Sequence, residues 1–342
     1  MTLRAGAIRF NTDLNQMEIH DGNQWTGILA TSPEQQAGGT RGVVMAGNNS
    51  SEPNGSNVMQ YTNISTTGNT VDFGNLSRKK YGTYGGISSR TRGLLVGGYF
   101  YNEPGGPGTY IDDMDAITIS ITGDSFDFGN LSQGNRSEPG ARSNETRGII
   151  FGGTGGPSPI VRTNTITYVT IAQLGNGVDF GDMTALYQNP TGAASQTRLV
   201  MGTGEAPSGS YNTLEYVTFA TTGNAQDFGT TAVTASYRNA CGNAVRGIVT
   251  AGYTPSTVNT IEFFTIATLG DATDFGDLTS ARGATTAMSS PTRAVFAGGR
   301  TPSIVDTIDF VSIMTTGNAV AFGDLLDNIG NCGAVSNGHG GL

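Results

Sequence analysis

Charge is scarce in this chain of 342 residues: Asp, Glu, Lys and Arg make only 13% of it, with two histidines, two cysteines and one tryptophan. The 18 basic residues are scattered and the net charge is −9. A nucleic-acid partner needs a concentrated basic surface, so none is expected. The two histidines, His20 and His339, stand at opposite ends of the chain, and no His-Cys-carboxylate cluster has metal-ligand spacing. No metal or cofactor is expected. No run of about 18 apolar residues occurs, which excludes a membrane-spanning helix. The N-terminus lacks a charged segment followed by an apolar one, so no signal peptide is read there. Cys241 and Cys332 begin corresponding strands of different repeats and read as two small buried thiols rather than a disulfide.

Glycine, by contrast, is plentiful, with 52 copies placed at fixed positions between apolar runs. Six times a tract reads Arg-x-(apolar)3-x-Gly. The arginines are Arg41, Arg92, Arg147, Arg198, Arg246 and Arg293, each with a glycine six positions on. About 30 residues later comes a Phe-Gly, preceded by Asp in five copies and by Ala321 in the sixth. Its phenylalanines, Phe73, Phe128, Phe180, Phe228, Phe275 and Phe322, are spaced by 55, 52, 48, 47 and 47 residues. A period near 50 without helical signal predicts an all-β fold, a six-bladed β-propeller with about four strands per blade.

Fourteen residues before each phenylalanine starts a six-residue strand, such as Met59–Ile64 or Ile308–Ile313, apolar on both parities. Neither face of it is then fully solvated, as for a sheet held between two others. Its second position is polar or acidic: Gln60, Asp115, Thr167, Glu215, Glu262 and Asp309. Glycine followed by Asn or Asp stands five residues before every phenylalanine, as in Gly68-Asn69 and Gly270-Asp271. That pair predicts a two-residue hairpin turn. A small-residue strand precedes each arginine except the first. Cys332–Asn337 resembles that strand, so the C-terminal strand is expected to complete the first blade and remove the open sheet edges.

The inner strand, the apolar strand ending in Gly-Gly (Gly97-Gly98, Gly152-Gly153, Gly298-Gly299) and the period near 50 resemble kelch repeats over about residues 40 to 338. The tryptophan usual in the outer kelch strand is absent, and Phe-Gly stands in its place. The chain is more similar still to the kelch-like Asp-Phe-Gly repeat proteins encoded by tailed phages of the marine and cyanophage type. Residues 1–30 belong to no repeat. Ala7–Phe10, Gln16–His20 and Gln24–Ile28 predict a small β-meander. The string Gly6–Asp13, continued by Asp21-Gly22-Asn23-Gln24-Trp25, resembles a β-module of phage tail fibres and other virion proteins. Three short strands cannot bury enough surface to stand alone. The resemblance makes residues 1–30 an attachment module, with Phe10 and Trp25 its anchoring residues, the other reading being a cap folded against the propeller; 31–39 is then a linker and 40–342 the propeller.

No catalytic constellation emerges, and no enzyme is expected. The repeated Asp-Phe-Gly lacks the rest of the kinase signature set and marks architecture. The six arginines allow two readings, a cationic ring for anionic glycan or structural pairing with a neighbouring blade. The second is preferred because the position repeats with the fold. Irregular stretches, Asn48–Asn57 and above all Phe100–Asp113, are where a propeller carries recognition. Tyr99, Tyr101 and Tyr110 are the candidate recognition residues, around Pro104-Gly105-Gly106-Pro107. The resemblance implies a non-enzymatic virion protein, assembled in the host cytoplasm and carried on a tail fibre, tailspike or similar appendage. Its expected partners are other virion proteins and a host-surface glycan or receptor, with self-association through the N-terminal module a further candidate. Two alternatives stand beside this: a capsid or tail decoration protein binding only virion neighbours, and a free kelch-like lectin or adaptor.

Overall fold

The computed structural model describes the chain apart from residues 1–3, 5, 12–15, 21, 29–38, 50, 102–107, 133–135 and 156–160. Among the described residues every regular element is a β-strand, and contacts divide the chain into Met1–Ala37 and Gly38–Leu342. Of the expected linker only Gly39 is described.

The first unit is a meander of β1 (Ile8–Asn11), β2 (Gln16–His20) and β3 (Trp25–Ile28) in that order. Arg9 faces Glu18 across the β1–β2 pair, and His20 faces Trp25 across β2–β3. The Arg9 guanidinium holds Glu18 at 2.7 Å and lies 4.2 Å above the Trp25 ring, which His20 meets edge-on. The expected turn at 12–15 lies outside the described residues.

The second unit holds six antiparallel sheets. Sheet 1 joins β4 (Arg41–Met45), β5 (Ser56–Asn63) and β6 (Val71–Lys80) to the far-distant β28 (Gly333–Ser336). Sheet 2 holds β7 (Gly86–Ser88), β8 (Arg92–Tyr101), β9 (Gly108–Thr118) and β10 (Phe126–Asn130). Sheet 3 holds β11 (Gly140–Ser143), β12 (Arg147–Phe151), β14 (Val161–Thr170) and β15 (Val178–Tyr187), with the short β13 (Thr154–Gly155) against β14. Sheet 4 holds β16 (Thr191–Ala194), β17 (Arg198–Ala206), β18 (Gly209–Thr218) and β19 (Gln226–Thr230). Sheet 5 holds β20 (Asn239–Gly242), β21 (Arg246–Thr254), β22 (Ser256–Thr265) and β23 (Thr273–Asp277). Sheet 6 holds β24 (Thr286–Ser289), β25 (Arg293–Ala297), β26 (Thr307–Ser312) and β27 (Val320–Asp324).

The expected closure is present, with Gly333 opposite Met45 and Ser336 opposite Gly42. Each sheet's first strand neighbours the first strands of the sheets before and after it, and β28 in this role lies between β24 and β7. The core follows the same order, because each apolar cluster joins two consecutive sheets. Phe73 and Met59 of sheet 1 pack with Leu95 and Ile117 of sheet 2, while Phe322 of sheet 6 packs with Val44 and Ile64 of sheet 1. The ring of each repeat phenylalanine is at most 3% exposed. Burying such a side chain contributes roughly 1.5–3 kcal/mol.

Two expectations are corrected. Gly-Asn and Gly-Asp do not close a two-residue hairpin: Tyr61 faces Val71 across β5–β6, so the connection is long. The pair reaches instead to the preceding sheet, as described below. Residues 100–113 are also not an irregular loop throughout. Phe100 and Tyr101 belong to β8, residues 108–113 to β9, and Tyr99 faces Tyr110. Tyrosine pairs favour extended, half-buried backbone, and they outweigh the neighbouring prolines and glycines. Residues 102–107, with Pro104 and Pro107, lie outside the described residues.

Candidate functional site

Three repeat features are used up in joining sheets. Each repeat arginine gives a terminal N–H to the carbonyl just past the third strand of the next sheet, Arg41 to Ile119 at 3.1 Å and Arg92 to Ile171 at 2.7 Å. Arg293 completes the circuit on Ile64 at 3.2 Å. Each also lies over an aromatic ring of its own sheet, as Arg246 does over Phe263 at 4.5 Å. The paired, structural reading of these arginines therefore describes their geometry.

The Gly-Asn/Asp pair extends the preceding sheet's outer strand. Gly123 N–H donates to the Phe73 carbonyl at 2.7 Å, and Asp124 Oδ1 accepts the Asn75 N–H at 2.9 Å. The same pair of contacts runs to the last step, where Gly68 donates to the Phe322 carbonyl and Asn69 accepts from Asp324. A Cβ on the glycine of Phe-Gly would collide with this backbone: at Gly74 it would strike the Gly123 carbonyl, at Gly323 that of Gly68. The acidic second positions are buried, and three of them pair with a cation, two from sheet-to-sheet connections and one, Lys80, from the end of β6. The pairs are Lys80–Asp115 at 2.6 Å, Arg282–Asp309 at 3.1 Å and Arg238–Glu262. Where the equivalent third-strand position is Gln60, its amide oxygen accepts from Thr70 and from the Leu326 N–H. Burial would raise the Asp115 carboxyl, but Lys80 and the Ser77 and Ser125 hydroxyls hold it below its usual value.

Just before the first strand of each sheet lies a feature with no sequence motif. Gly82, Glu138, Asn189, Tyr237, Ala284 and Asn331, one per sheet junction, all have positive φ between 44° and 70°. They form a hydrogen-bonded circuit. Glu138 N–H donates to Gly82, Asn189 to Glu138, Ala284 to Tyr237, Asn331 to Ala284 and Gly82 to Asn331, at 2.6–3.2 Å. The Tyr237 N–H is taken by the Asn189 side chain at 3.1 Å. A left-handed conformation costs an L-residue roughly 1–2 kcal/mol, and such strain concentrates at binding sites.

This circuit puts Glu138 on the wall of a cavity of about 540 Å³, with Tyr237, Tyr253, Thr257, Arg300 and Asn331. Gln188 Nε2 at 2.6 Å and Asn189 Nδ2 at 3.5 Å both donate to Glu138 Oε2. Burial nonetheless pushes its carboxyl above the usual value, and burial likewise raises the Tyr237 phenol, with the Glu138 charge adding to it. Tyr84, buried beside the circuit, gives its hydroxyl to Asn331 Oδ1, and Asn331 Nδ2 donates to Asn48 at 2.9 Å. The last residues of the chain pack against the other ends of the first strands. His339 Nε2 lies 3.1 Å from the Ser88 carbonyl, and Gly340 N–H donates to Gly242. Burial lowers His339 to about 4 and Arg142, whose guanidinium meets the Gly192 and Ala141 carbonyls and Asn239, to about 10. A void of only about 30 Å³ remains there.

The expected recognition residues do come together. Tyr99 meets Tyr110 at 4.9 Å and Tyr101 at 5.3 Å between ring centroids, and Tyr81, unforeseen from sequence, stacks on Tyr101 at 6.4 Å. All four are part-buried, and burial raises the Tyr81, Tyr99 and Tyr110 phenols; Glu138 also acts on Tyr81 and Tyr110. Of the attachment candidates, Trp25 lies under Arg9, while the Phe10 side chain is outside the described residues and only its pairing with Met17 is placed. Cys241 and Cys332 are free, buried thiols, each pushed up to about 12 by burial. Glu138 and Tyr237 escaped the sequence reading because nothing in the repeat pattern marks the sheet junctions. No protein-family model matches this chain, and no curated protein is significantly similar to it.

Proposed function

We propose that residues 40–342 are a six-bladed kelch-like β-propeller, and that the protein is a non-enzymatic virion protein of a tailed phage that contacts the host surface. The cyclic order supports the propeller: six sheets, six inter-sheet arginine bonds and a last strand that returns to the first sheet. The tetrad Tyr81, Tyr99, Tyr101 and Tyr110 beside the Glu138 cavity carries the recognition reading. Both lie on the side formed by the second-to-third-strand hairpins and the sheet junctions. Clustered, part-exposed tyrosines offer flat apolar surface with a polar edge, suited to sugar rings or a protein partner. The virion assignment rests on the sequence resemblance, with the N-terminal meander as its attachment module.

Mass spectrometry of purified particles tests the virion assignment, since absence of the protein would leave a free lectin or adaptor. Replacing Tyr101 and Tyr110 by alanine is expected to lower particle adsorption while the protein stays folded; unchanged adsorption would contradict the host-contact role. The decoration alternative has its own support. Ile121, Leu174, Leu269 and Met314, in third-to-fourth-strand connections, are 54–67% exposed at the opposite end of the sheets. Apolar groups repeated in this way fit a neighbouring virion protein. Normal adsorption with failed incorporation after their replacement by serine would favour it.

A further inference from the structure

We infer that the cavity bounded by Glu138, Tyr237, Tyr253, Thr257, Arg300 and Asn331 is a binding site for a single hexopyranose unit at the end of a glycan. This names the ligand class for the recognition face proposed above and rests on that reading. Three separate parts of the chain converge on the cavity. The hairpin of sheet 5 brings Tyr253 and Thr257, the second-to-third-strand connection of sheet 6 brings Arg300, and the left-handed circuit brings Glu138, Tyr237 and Asn331. Its volume of about 540 Å³ falls within the range of small-molecule sites.

The polar groups decide the chemistry. The two hydrogen bonds to Glu138 both end on Oε2, and among the described residues none is recorded to Oε1. Neither Glu138 nor Arg300 has an ion-pair partner among the described residues. The wall therefore presents an acceptor at Glu138, donors at Arg300, and hydroxyls at Tyr237, Tyr253 and Thr257 that do both. Vicinal sugar hydroxyls, each donor and acceptor, satisfy such a mixture. An ammonium group only donates and would leave Arg300 without an acceptor. The rings of Tyr237 and Tyr253 supply apolar surface for the C–H face of the sugar, and Tyr253 is 48% exposed. The backbone circuit fixes Glu138 and Tyr237 before any ligand arrives, which lowers the ordering cost of binding.

Saturation-transfer NMR on the full chain with glucose, galactose, mannose and N-acetylglucosamine, each at millimolar concentration, tests this. At least one sugar is expected to show transfer, weakened about tenfold or more in Glu138→Gln, the scale of a lost hydrogen bond to a charged group. Tyr253→Ala and Arg300→Ala, at exposed positions, should weaken it too at unchanged melting temperature. Transfer from none of the four, equal transfer in all three variants, or binding of methylammonium instead would overturn the site. Adsorption of particles carrying the same variants separates the two proposals. Sugar binding lost with adsorption intact refutes the host-contact role alone, and adsorption dependent on Tyr101 and Tyr110 without sugar binding refutes this site alone.

Discussion

At the residue scale, the interior polar groups set the sharpest expectations. Lys80 and Asp115 are essentially without solvent exposure, so removing one leaves an uncompensated charge. Lys80→Met is expected to lower unfolding free energy by about 3–5 kcal/mol, and Lys80→Met with Asp115→Leu to recover much of it; urea denaturation of the three proteins checks this. The pH dependence has a definite sign. Because the folded Asp115 carboxyl titrates below its usual 3.8, its contribution is complete above that value and fades as pH falls through the lower folded one. Lys80→Met should flatten that part of the acid limb. Gly276→Ala tests the inter-sheet contact, since its Cβ would strike Gly317 at a φ of 146°. A loss of roughly 1–3 kcal/mol is expected, seen as a lower urea midpoint.

Among elements, β28 matters most for its length. Its four residues pair with β4, and without them and the preceding Cys332 sheet 1 would lose its first strand and the apolar cluster of Val44 and Phe322 would lose Cys332 and Ala334. Deleting residues 331–338 is expected to abolish cooperative unfolding and cause aggregation, read by calorimetry and size exclusion; a monodisperse protein with unchanged melting temperature would refute the closure. The following residues behave differently. Gly340 and Gly341 run so close to the Asn243 and Ser143 backbone that a Cβ at either would collide. His339 is held neutral by burial, with its value lowered from 6.5 to about 4. Docking of 339–342 is thus fully favoured above pH 6.5 and weakens as pH falls from 6.5 to about 4. Protection of the Gly340 and Leu342 amides, relative to their intrinsic exchange rates, should fall over that interval and stay flat in His339→Asn.

On the scale of the whole molecule, the division at Ala37 and Gly38 separates a meander from six sheets that complete one another. Removing residues 1–30 is expected to leave the melting temperature of the second unit unchanged and to abolish incorporation into particles. Wild-type incorporation of that truncation would sink the attachment role. The second unit should instead fold as one cooperative block. Each apolar cluster belongs to two sheets, so no sheet has a core of its own.

How much of this was legible depended on whether a feature recurs. The spacing of Phe-Gly, the Arg tracts and the Cys332–Asn337 likeness determined strand content, sheet number and the returning last strand, because identical local surroundings select identical residues. Even so, the Gly-Asn pair was misread as a local turn: sequence displays the glycine, but only the fold reveals that its partner is Phe73 or Phe322 of another sheet. Tyr99, Tyr101 and Tyr110 were readable as near neighbours in the chain, whereas Tyr81 joined them only through the pairing of Tyr81 with Tyr99. The Glu138 cavity had no signature at all. Gly82, Glu138, Asn189, Tyr237, Ala284 and Asn331 share a backbone conformation and no chemistry, and hydrogen bonds between carbonyls and N–H groups specify no side chain. Repetition wrote the scaffold into the sequence; the hydrogen-bonded meeting of the sheet junctions is what brings one unrepeated carboxylate among tyrosines.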